Sequence, residues 1–123
     1  MRVMIVVTHL LGTGHLARAA VIGRAFASAG HTITLVSGGV PVPRVDVRGL
    51  TFLQLPALKS DGVNFSRLLD ADGTTATEGL LDARRSLALE TLHKFQPDVL
   101  ITELFPFGRR NLQAEFLTLL DAA

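Results

Sequence analysis

The sequence predicts an α/β domain in which helices cover both faces of a parallel β-sheet. A short apolar, β-branched run at residues 3–7 is typical of a strand that is buried on both faces, and two further runs, at residues 32–36 and 99–102, are predicted to be strands. Segments of helical periodicity separate the first two runs and precede the third. Strands that alternate with helices in this way indicate a Rossmann-like three-layer domain with a parallel sheet.

The first strand, helix and second strand form one βαβ unit. After a glycine-containing loop at residues 9–14, apolar residues recur on one wide helical face, which includes Leu16, Ala17, Val21, Ile22, Ala25, Phe26 and Ala29. Gly30 follows this face, where a glycine usually ends a helix. The unit spans about 36 residues, the size expected of a right-handed crossover.

The middle of the chain is less regular. Prolines at 41 and 43 indicate an irregular connection, and residues 50–55 are predicted to form a third strand that stops at Pro56. Residues 57–77 show no period, and a loop of that length is either functional or partly mobile.

Two more helices and a fourth strand complete the pattern. Residues 78–95 read as a helix that Pro97 stops, with Arg84 and Arg85 expected on its solvent side beside Asp82 and Glu90. After the strand at 99–102, a last helix carries its apolar residues at helical spacing: Leu112, Phe116, Leu119 and Leu120.

Composition excludes several classes of protein. The chain of 123 residues has a net charge of +1 and contains no Cys, Trp or Tyr, which excludes a disulfide scaffold, a zinc–thiolate site, a cysteine nucleophile and a dedicated nucleic-acid binder. No apolar run reaches the roughly 20 residues that span a bilayer. The histidines lack metal-ligand spacing, so no metal is expected. The first residues do not read as a signal peptide, which favours a cytoplasmic protein.

The extent of the chain also carries a prediction. Residues 1–123 are interpreted as a single domain, and the last helical pattern reaches Ala123 with no capping residue and no strand after it. A four-stranded parallel sheet of this kind is expected to be half of a larger architecture. The sequence is therefore interpreted as a fragment of a longer, two-domain chain.

A glycine-rich segment follows the first strand. Residues 12–17 match the pattern G-x-G-x-x-A, in which glycines bring backbone N–H groups at a helix N-terminus close to an anion. Dinucleotide binding also needs an acidic residue after the second strand, where this chain has Ser37, Gly38 and Gly39. An NAD(P)-binding fragment of an oxidoreductase therefore stays an alternative. A second alternative is that the glycines only allow the chain to turn from the strand into the helix.

His15 and Glu103 are the candidate catalytic pair. His15 lies where the first loop becomes a helix, and Glu103 directly follows the fourth strand, so both are expected at the carboxyl edge of the sheet. An imidazole is a suitable general base near neutral pH, and a carboxylate on its far nitrogen would fix its tautomer. The alternatives are a histidine that faces solvent at the start of the helix and a glutamate that caps the last one.

Other polar residues carry less information. Arg109 and Arg110 either face the same cleft or are solvated at the start of the last helix. Of the remaining histidines, His9 is expected near the first loop, His31 in the turn before the second strand and His93 late in a helix. The chain has no G-x-S-x-G elbow and no phosphate loop of the G-K-[ST] type.

Three segments together resemble the N-terminal half of a GT-B glycosyltransferase. Residues 9–19, HLLGTGHLARA, resemble the glycine-rich first loop of family 28 enzymes and the Gly-His segment of UDP-sugar transferases. Two further segments are similar to a bacterial group of predicted glycosyltransferases. The first consists of residues 35–39, LVSGG, with residues 53–56, LQLP, and the second is residues 97–110, PDVLITELFPFGRR. The resemblance covers nearly the whole chain.

The resemblance implies a role for each candidate residue. The N-terminal domain of such enzymes binds mainly the acceptor, and the reaction needs no metal or bound cofactor, only a nucleotide sugar such as a UDP-sugar as co-substrate. His15 matches the histidine that deprotonates the acceptor hydroxyl. Glu103 resembles its acidic partner, which is usually Asp. The loop that approaches the acceptor or a phosphate would consist of Gly12, Thr13 and Gly14 with Ser37, Gly38 and Gly39, and Arg109 would line the cleft.

The resemblance also implies partners. A donor-binding C-terminal domain would come from the same chain or from a partner subunit, and the 123 residues alone would not turn over sugar. The acceptor would be a small molecule or a lipid-linked one, with at most a peripheral membrane contact and no nucleic acid. A homo-oligomer stays open, as does the alternative of a non-catalytic module whose apolar last helix docks on a partner.

Overall fold

The computed structural model describes residues 1–63, 67–105 and 110–123. The described residues form four strands, three α-helices and one turn of 3₁₀-helix. In chain order these are β1 (Arg2–Val7), α1 (Gly14–Ser28), β2 (Thr32–Ser37), β3 (Thr51–Gln54), α2 (Glu78–Phe95), β4 (Val99–Thr102), the 3₁₀ turn (Arg110–Leu112) and α3 (Gln113–Ala122).

The four strands form one parallel sheet in the order β3-β2-β1-β4. The central strand β1 pairs with β2 on one side and with β4 on the other, so that Val3 lies between Ile33 and Val99. This topology confirms the predicted class, a Rossmann-like three-layer α/β domain. It also places the carboxyl ends of β1 and β4 next to each other.

Alternation along β1 divides the core into two layers. Met4 and Val6 are buried in the cluster that contains α2 and α3, whereas Val3, Ile5 and Val7 are buried in the cluster that contains α1. Because successive strand side chains point to opposite faces, a strand with helices on both sides must be apolar throughout. The continuous apolar run at the start of the sequence therefore indicates a strand in a sheet that is covered on both faces.

The helix ends follow from local chemistry. The hydroxyl of Thr77 accepts a hydrogen bond from the backbone N–H of Leu80 at 3.1 Å and caps the start of α2. Gln96 ends this helix with φ of 50° in the left-handed region, before Pro97. Gly30, with φ of +94°, follows the C-cap of α1 as predicted. The bounds of α2 and β4 coincide with the predicted ones.

Four expectations need correction. The first helix does not bury the face predicted for it, since Val21 and Ile22 are exposed. It packs on the sheet through a row of mostly small residues at helical spacing, Leu16, Ala19, Ala20 and Gly23.

The third strand is shorter than residues 50–55: it pairs with β2 over Thr51–Gln54, and Leu55 adds one backbone hydrogen bond to the carbonyl of Ser37 before Pro56. Arg84 is fully buried instead of solvated, since it pairs with a carboxylate on α3. Leu120 does not join the buried face of the last helix and is 41% exposed, because the helix presents Leu119 and Phe116 to the core.

The long connection over residues 57–77 is packed against the domain where it is described. Leu58 is fully buried and Leu69 nearly so, and Leu69 forms antiparallel bridges with Lys59 and Thr75. Residues 64–66 of this segment lie outside the described residues. Across the described ranges, none of the helices has both the length and the apolar character needed to cross a bilayer.

Candidate functional site

The candidate site lies at the carboxyl edge of the sheet, where β1 and β4 end side by side. The β1–α1 loop, residues 8–13, leads from β1 to the first turn of α1, which contains His15. Glu103 follows β4 directly, and its backbone N–H donates to the carbonyl of Val6 at 3.0 Å. This bond extends the β1–β4 pairing by one residue and fixes Glu103 beside the start of α1.

His15 and Glu103 are in contact, as their placement predicted. His15 Nδ1 lies 3.1 Å from Glu103 Oε1, although the two residues are 88 positions apart in the chain. The side chain of His15 is 34% exposed and that of Glu103 is 16% exposed. The pair is therefore reachable from solvent through the imidazole, while the carboxylate lies deeper.

Arg18 is a third member of this cluster. Its Nη2 donates to Glu103 Oε1 and also lies 3.0 Å from His15 Nδ1. Among the described residues, both hydrogen-bond partners of His15 lie at Nδ1. Arg18 is not among the site residues predicted from the sequence. The available signal was its spacing, because residues i and i+3 of a helix share a face.

The surroundings of Glu103 favour its ionised form. Burial raises the pKa of this carboxyl group, but hydrogen bonds from Arg18 and His15 and the positive charge of Arg18 lower it further than burial raises it. The resulting pKa lies below the ordinary value of a glutamate. Glu103 is therefore a carboxylate at neutral pH, as a hydrogen-bond acceptor for an imidazolium must be.

The turn after Glu103 is strained. Leu104 adopts φ of 70°, in the left-handed region that branched residues rarely occupy, at a cost of about 1–2 kcal/mol. The hydroxyl of Thr102 donates to the carbonyl of Phe105 at 3.2 Å and closes the turn around it. Strain of this kind persists only where the surrounding structure imposes it, and here it is next to the carboxylate of the candidate site.

Gly12 of the β1–α1 loop and Gly14 at the start of α1 are not packed against other described residues. Gly12 needs its positive φ of 72°, and within the described part of the chain neither Gly12 nor Gly14 would bring a Cβ within 4 Å of an atom outside its immediate chain neighbours. Thr13 occupies the N-cap position of α1, but its side chain makes no capping hydrogen bond. Packing against the described residues therefore does not explain Gly14.

The glycines after β2 are enclosed by packing. A Cβ at Gly38 would overlap Thr8 and Arg84, and a Cβ at Gly39 would overlap the main-chain oxygen and ring of His9. Ser37 is fully buried, and its hydroxyl has no hydrogen-bond partner among the described residues. The small size of this segment lets it pack directly behind the β1–α1 loop.

A buried cation joins these segments. The guanidinium of Arg84 on α2 makes two hydrogen bonds with the carboxylate of Glu115 on α3, at 2.9 and 3.1 Å. It also donates to the carbonyls of Gly38 and Pro56 and lies 3.4 Å from the hydroxyl of Thr8. One side chain thus ties the residues that follow β1, β2 and β3 to both helices on that face of the sheet.

The two groups of glycines should respond differently to a methyl group. We expect Gly39→Ala to lower the free energy of unfolding by about 2 kcal/mol or more, because its Cβ meets backbone that cannot rotate away. The matched change Gly14→Ala adds its methyl in open space at the first position of α1, where alanine favours the helix by up to about 1 kcal/mol. Urea unfolding of both variants measures the difference. Equal losses of stability would contradict this assignment of the glycines.

The remaining candidates lie elsewhere. Arg109 and the side chain of Arg110 lie outside the described residues. His31 is in the turn before β2, as predicted, with Nδ1 2.9 Å from the amino group of Met1. His9 belongs to the β1–α1 loop and is buried, and His93 lies in the last turn of α2. Within the described ranges, no three His, Asp or Glu side chains form a group that could hold a metal ion.

The fold and this cluster define a Rossmann-like α/β domain with a His–Glu pair at its carboxyl edge. Comparison of the chain with protein-family models, with curated proteins and with solved structures finds no match.

Proposed function

We propose that the chain is the acceptor-binding domain of a GT-B glycosyltransferase that moves a hexosyl group from a nucleotide sugar to an acceptor hydroxyl. The observation that carries the proposal is the 3.1 Å contact between His15 and Glu103 at the carboxyl edge of a parallel sheet. Ligands bind at this edge in open α/β sheets, and a histidine with a carboxylate on one ring nitrogen is a general base.

The proposed reaction is a displacement at the anomeric carbon. His15 accepts the proton of the acceptor hydroxyl at Nε2, and the acceptor oxygen forms a bond to the sugar carbon. The bond from that carbon to the diphosphate breaks, and the nucleoside diphosphate leaves with the electron pair. Glu103 accepts a hydrogen bond from Nδ1 and stabilises the imidazolium that forms. No step uses a metal ion or a bound cofactor.

The β1–α1 loop supplies room for the acceptor. A Cβ at Gly12 or Gly14 would meet no described residue, and Thr13 makes no side-chain cap to the first backbone N–H groups of α1. Such groups suit a hydroxyl or a phosphate oxygen of the acceptor. In this proposal Ser37, Gly38 and Gly39 support the loop from behind.

The end of β2 supports this function over an NAD(P)-dependent oxidoreductase. A dinucleotide site would need a carboxylate there for the ribose, and the chain has Ser37, Gly38 and Gly39, which pack under Thr8, Arg84 and His9. The proposal further includes a donor-binding domain in the same chain or in a partner subunit. It assigns the enzyme to the cytoplasm, with a small-molecule or lipid-linked acceptor.

The test is a transfer assay on the polypeptide in its natural form. It is incubated with UDP-hexoses, EDTA and a panel of soluble and lipid-linked hydroxyl acceptors, and release of UDP is measured together with the glycosylated product. We expect acceptor-dependent release of UDP that EDTA does not abolish. Absence of transfer from every UDP-hexose, combined with NADH binding in equilibrium dialysis, would replace the proposal by the oxidoreductase alternative.

A further inference from the structure

The cluster at the carboxyl edge is a triangle of three polar atoms. His15 Nδ1 lies 3.1 Å from Glu103 Oε1 and 3.0 Å from Arg18 Nη2, and Arg18 Nη2 donates to the same Oε1. A simple His–carboxylate pair has two members and one hydrogen bond. Here a donor-only group and an acceptor-only group both lie within hydrogen-bond distance of one ring nitrogen.

The two contacts of Nδ1 require different tautomers of neutral His15. A hydrogen bond to Glu103 needs a proton on Nδ1, which leaves the lone pair on Nε2. A hydrogen bond from Arg18 needs the lone pair on Nδ1, which places the proton on Nε2. Nδ1 cannot satisfy both neighbours at once, and Arg18 keeps its bond to Glu103 in either case, since Nη2 carries two hydrogens.

We infer that Arg18 is a positioning residue that selects the tautomer of His15, competing with Glu103 for Nδ1. The inference rests on the proposed function for its consequence, because only the tautomer with a free Nε2 lone pair is able to take a proton from an acceptor. Arg18 bound to Nδ1 holds His15 in the form that cannot act as a base. When Arg18 moves away from Nδ1, His15 donates a hydrogen bond to Glu103 from Nδ1 and is in the form that can act as a base.

The exposure of the three side chains fits this division of roles. The Arg18 side chain is 56% exposed, whereas that of Glu103 is 16% exposed and follows a strand directly. Arg18 extends from the second turn of α1 on a flexible stem, so it is the member of the triangle that moves at least cost. Glu103 and His15 are fixed by the β1–β4 pairing and by the first turn of the helix.

The test measures the tautomer itself. Long-range ¹H–¹⁵N spectra of the histidine rings distinguish a protonated from an unprotonated nitrogen, and loss of one signal set in His15→Gln assigns His15. At a pH where the ring is neutral, we expect Arg18→Met to move His15 towards the tautomer with the proton on Nδ1. Glu103→Leu is expected to move it the opposite way, because Arg18 is then the remaining partner of Nδ1.

Two controls make the result specific. Arg85→Met makes the same chemical change on α2, where the arginine pairs with Asp82, and is expected to leave the His15 spectrum unchanged. Arg18→Lys restores a donor with a different geometry and is expected to return the tautomer ratio part of the way to that of the wild type. A His15 tautomer that is the same in the wild type and in Arg18→Met would overturn the inference.

The outcome is independent of sugar transfer. A tautomer that responds to Arg18 in a protein that transfers no sugar would keep the inference and remove the proposed function. Transfer that depends on His15, combined with a tautomer indifferent to Arg18, would keep the function and remove the inference. The two ideas therefore fail separately.

Discussion

His15→Ala is expected to lower the rate of sugar transfer by about 10²–10⁴-fold, the usual contribution of a positioned general base. The change removes the only ring nitrogens that the described structure places beside both Glu103 and the open space at Gly14. The loss corresponds to about 3–5 kcal/mol of transition-state stabilisation. The rate constant at saturating acceptor is the quantity to measure, because the base acts on the bound acceptor.

The matched control for this variant is His93→Ala. It makes the same substitution at an exposed position in the last turn of α2, away from the carboxyl edge of the sheet. Circular dichroism and urea unfolding should show that His15→Ala is folded, since His15 is a third exposed and outside the core clusters. A transfer rate within threefold of the wild type would remove His15 from the mechanism.

Arg84→Met is expected to destabilise the protein by about 3–5 kcal/mol, a large share of the 5–15 kcal/mol that holds a typical domain folded. The loss arises because the buried carboxyl group of Glu115, which is 5% exposed, loses its partner. The carbonyls of Gly38 and Pro56 lose a donor at the same time. Urea unfolding followed by circular dichroism measures the free energy.

The double variant Arg84→Met, Glu115→Leu separates the pair from its surroundings. Replacing both charges by apolar groups removes the unpaired carboxylate, so we expect the double variant to recover at least half of the stability lost in the single one. It also keeps the prediction testable if Arg84→Met alone does not fold. Arg85→Met, one position along α2 and partly exposed, should change stability by less than about 0.5 kcal/mol. A loss below about 1 kcal/mol for Arg84→Met would contradict the assigned role.

The parts of the fold that could be predicted are those with strong local signals. The apolar run of β1, the proline after α2 and the glycine after α1 each define an element from a few neighbouring residues, and the bounds of α2 and β4 coincide with the prediction. The placement of His15 and Glu103 at the carboxyl edge of the sheet was also predictable, because each residue follows a predicted strand, and the pairing of β1 with β4 brings them into contact there.

Features that depend on distant partners could not be predicted. Arg84 lies at helical spacing from Leu81 and Ala88, but its charge favoured the solvent side, because its partner Glu115 lies 31 residues further along the chain. The sequence around Arg18 shows only a basic residue in a helix, because its contact with Glu103 arises from the fold, which brings the end of β4 next to α1. The packing of Leu58 and Leu69 follows from bridges within an irregular connection, which no helical or strand period describes.

The pairing of β1 with β4 has a consequence for how the protein acquires its site. This pairing joins segments almost a full chain length apart, as the bond from the Arg2 backbone to Asp98 across 96 residues shows. Contacts of such long range close a large loop and are slow to form, whereas the βαβ unit of β1, α1 and β2 is local. We expect the unit carrying His15 to form early and Glu103 to arrive with β4 near the end of folding. Partly folded chains would then have the βαβ unit without the His15–Glu103 contact, so we expect the proposed activity only after β4 has paired with β1.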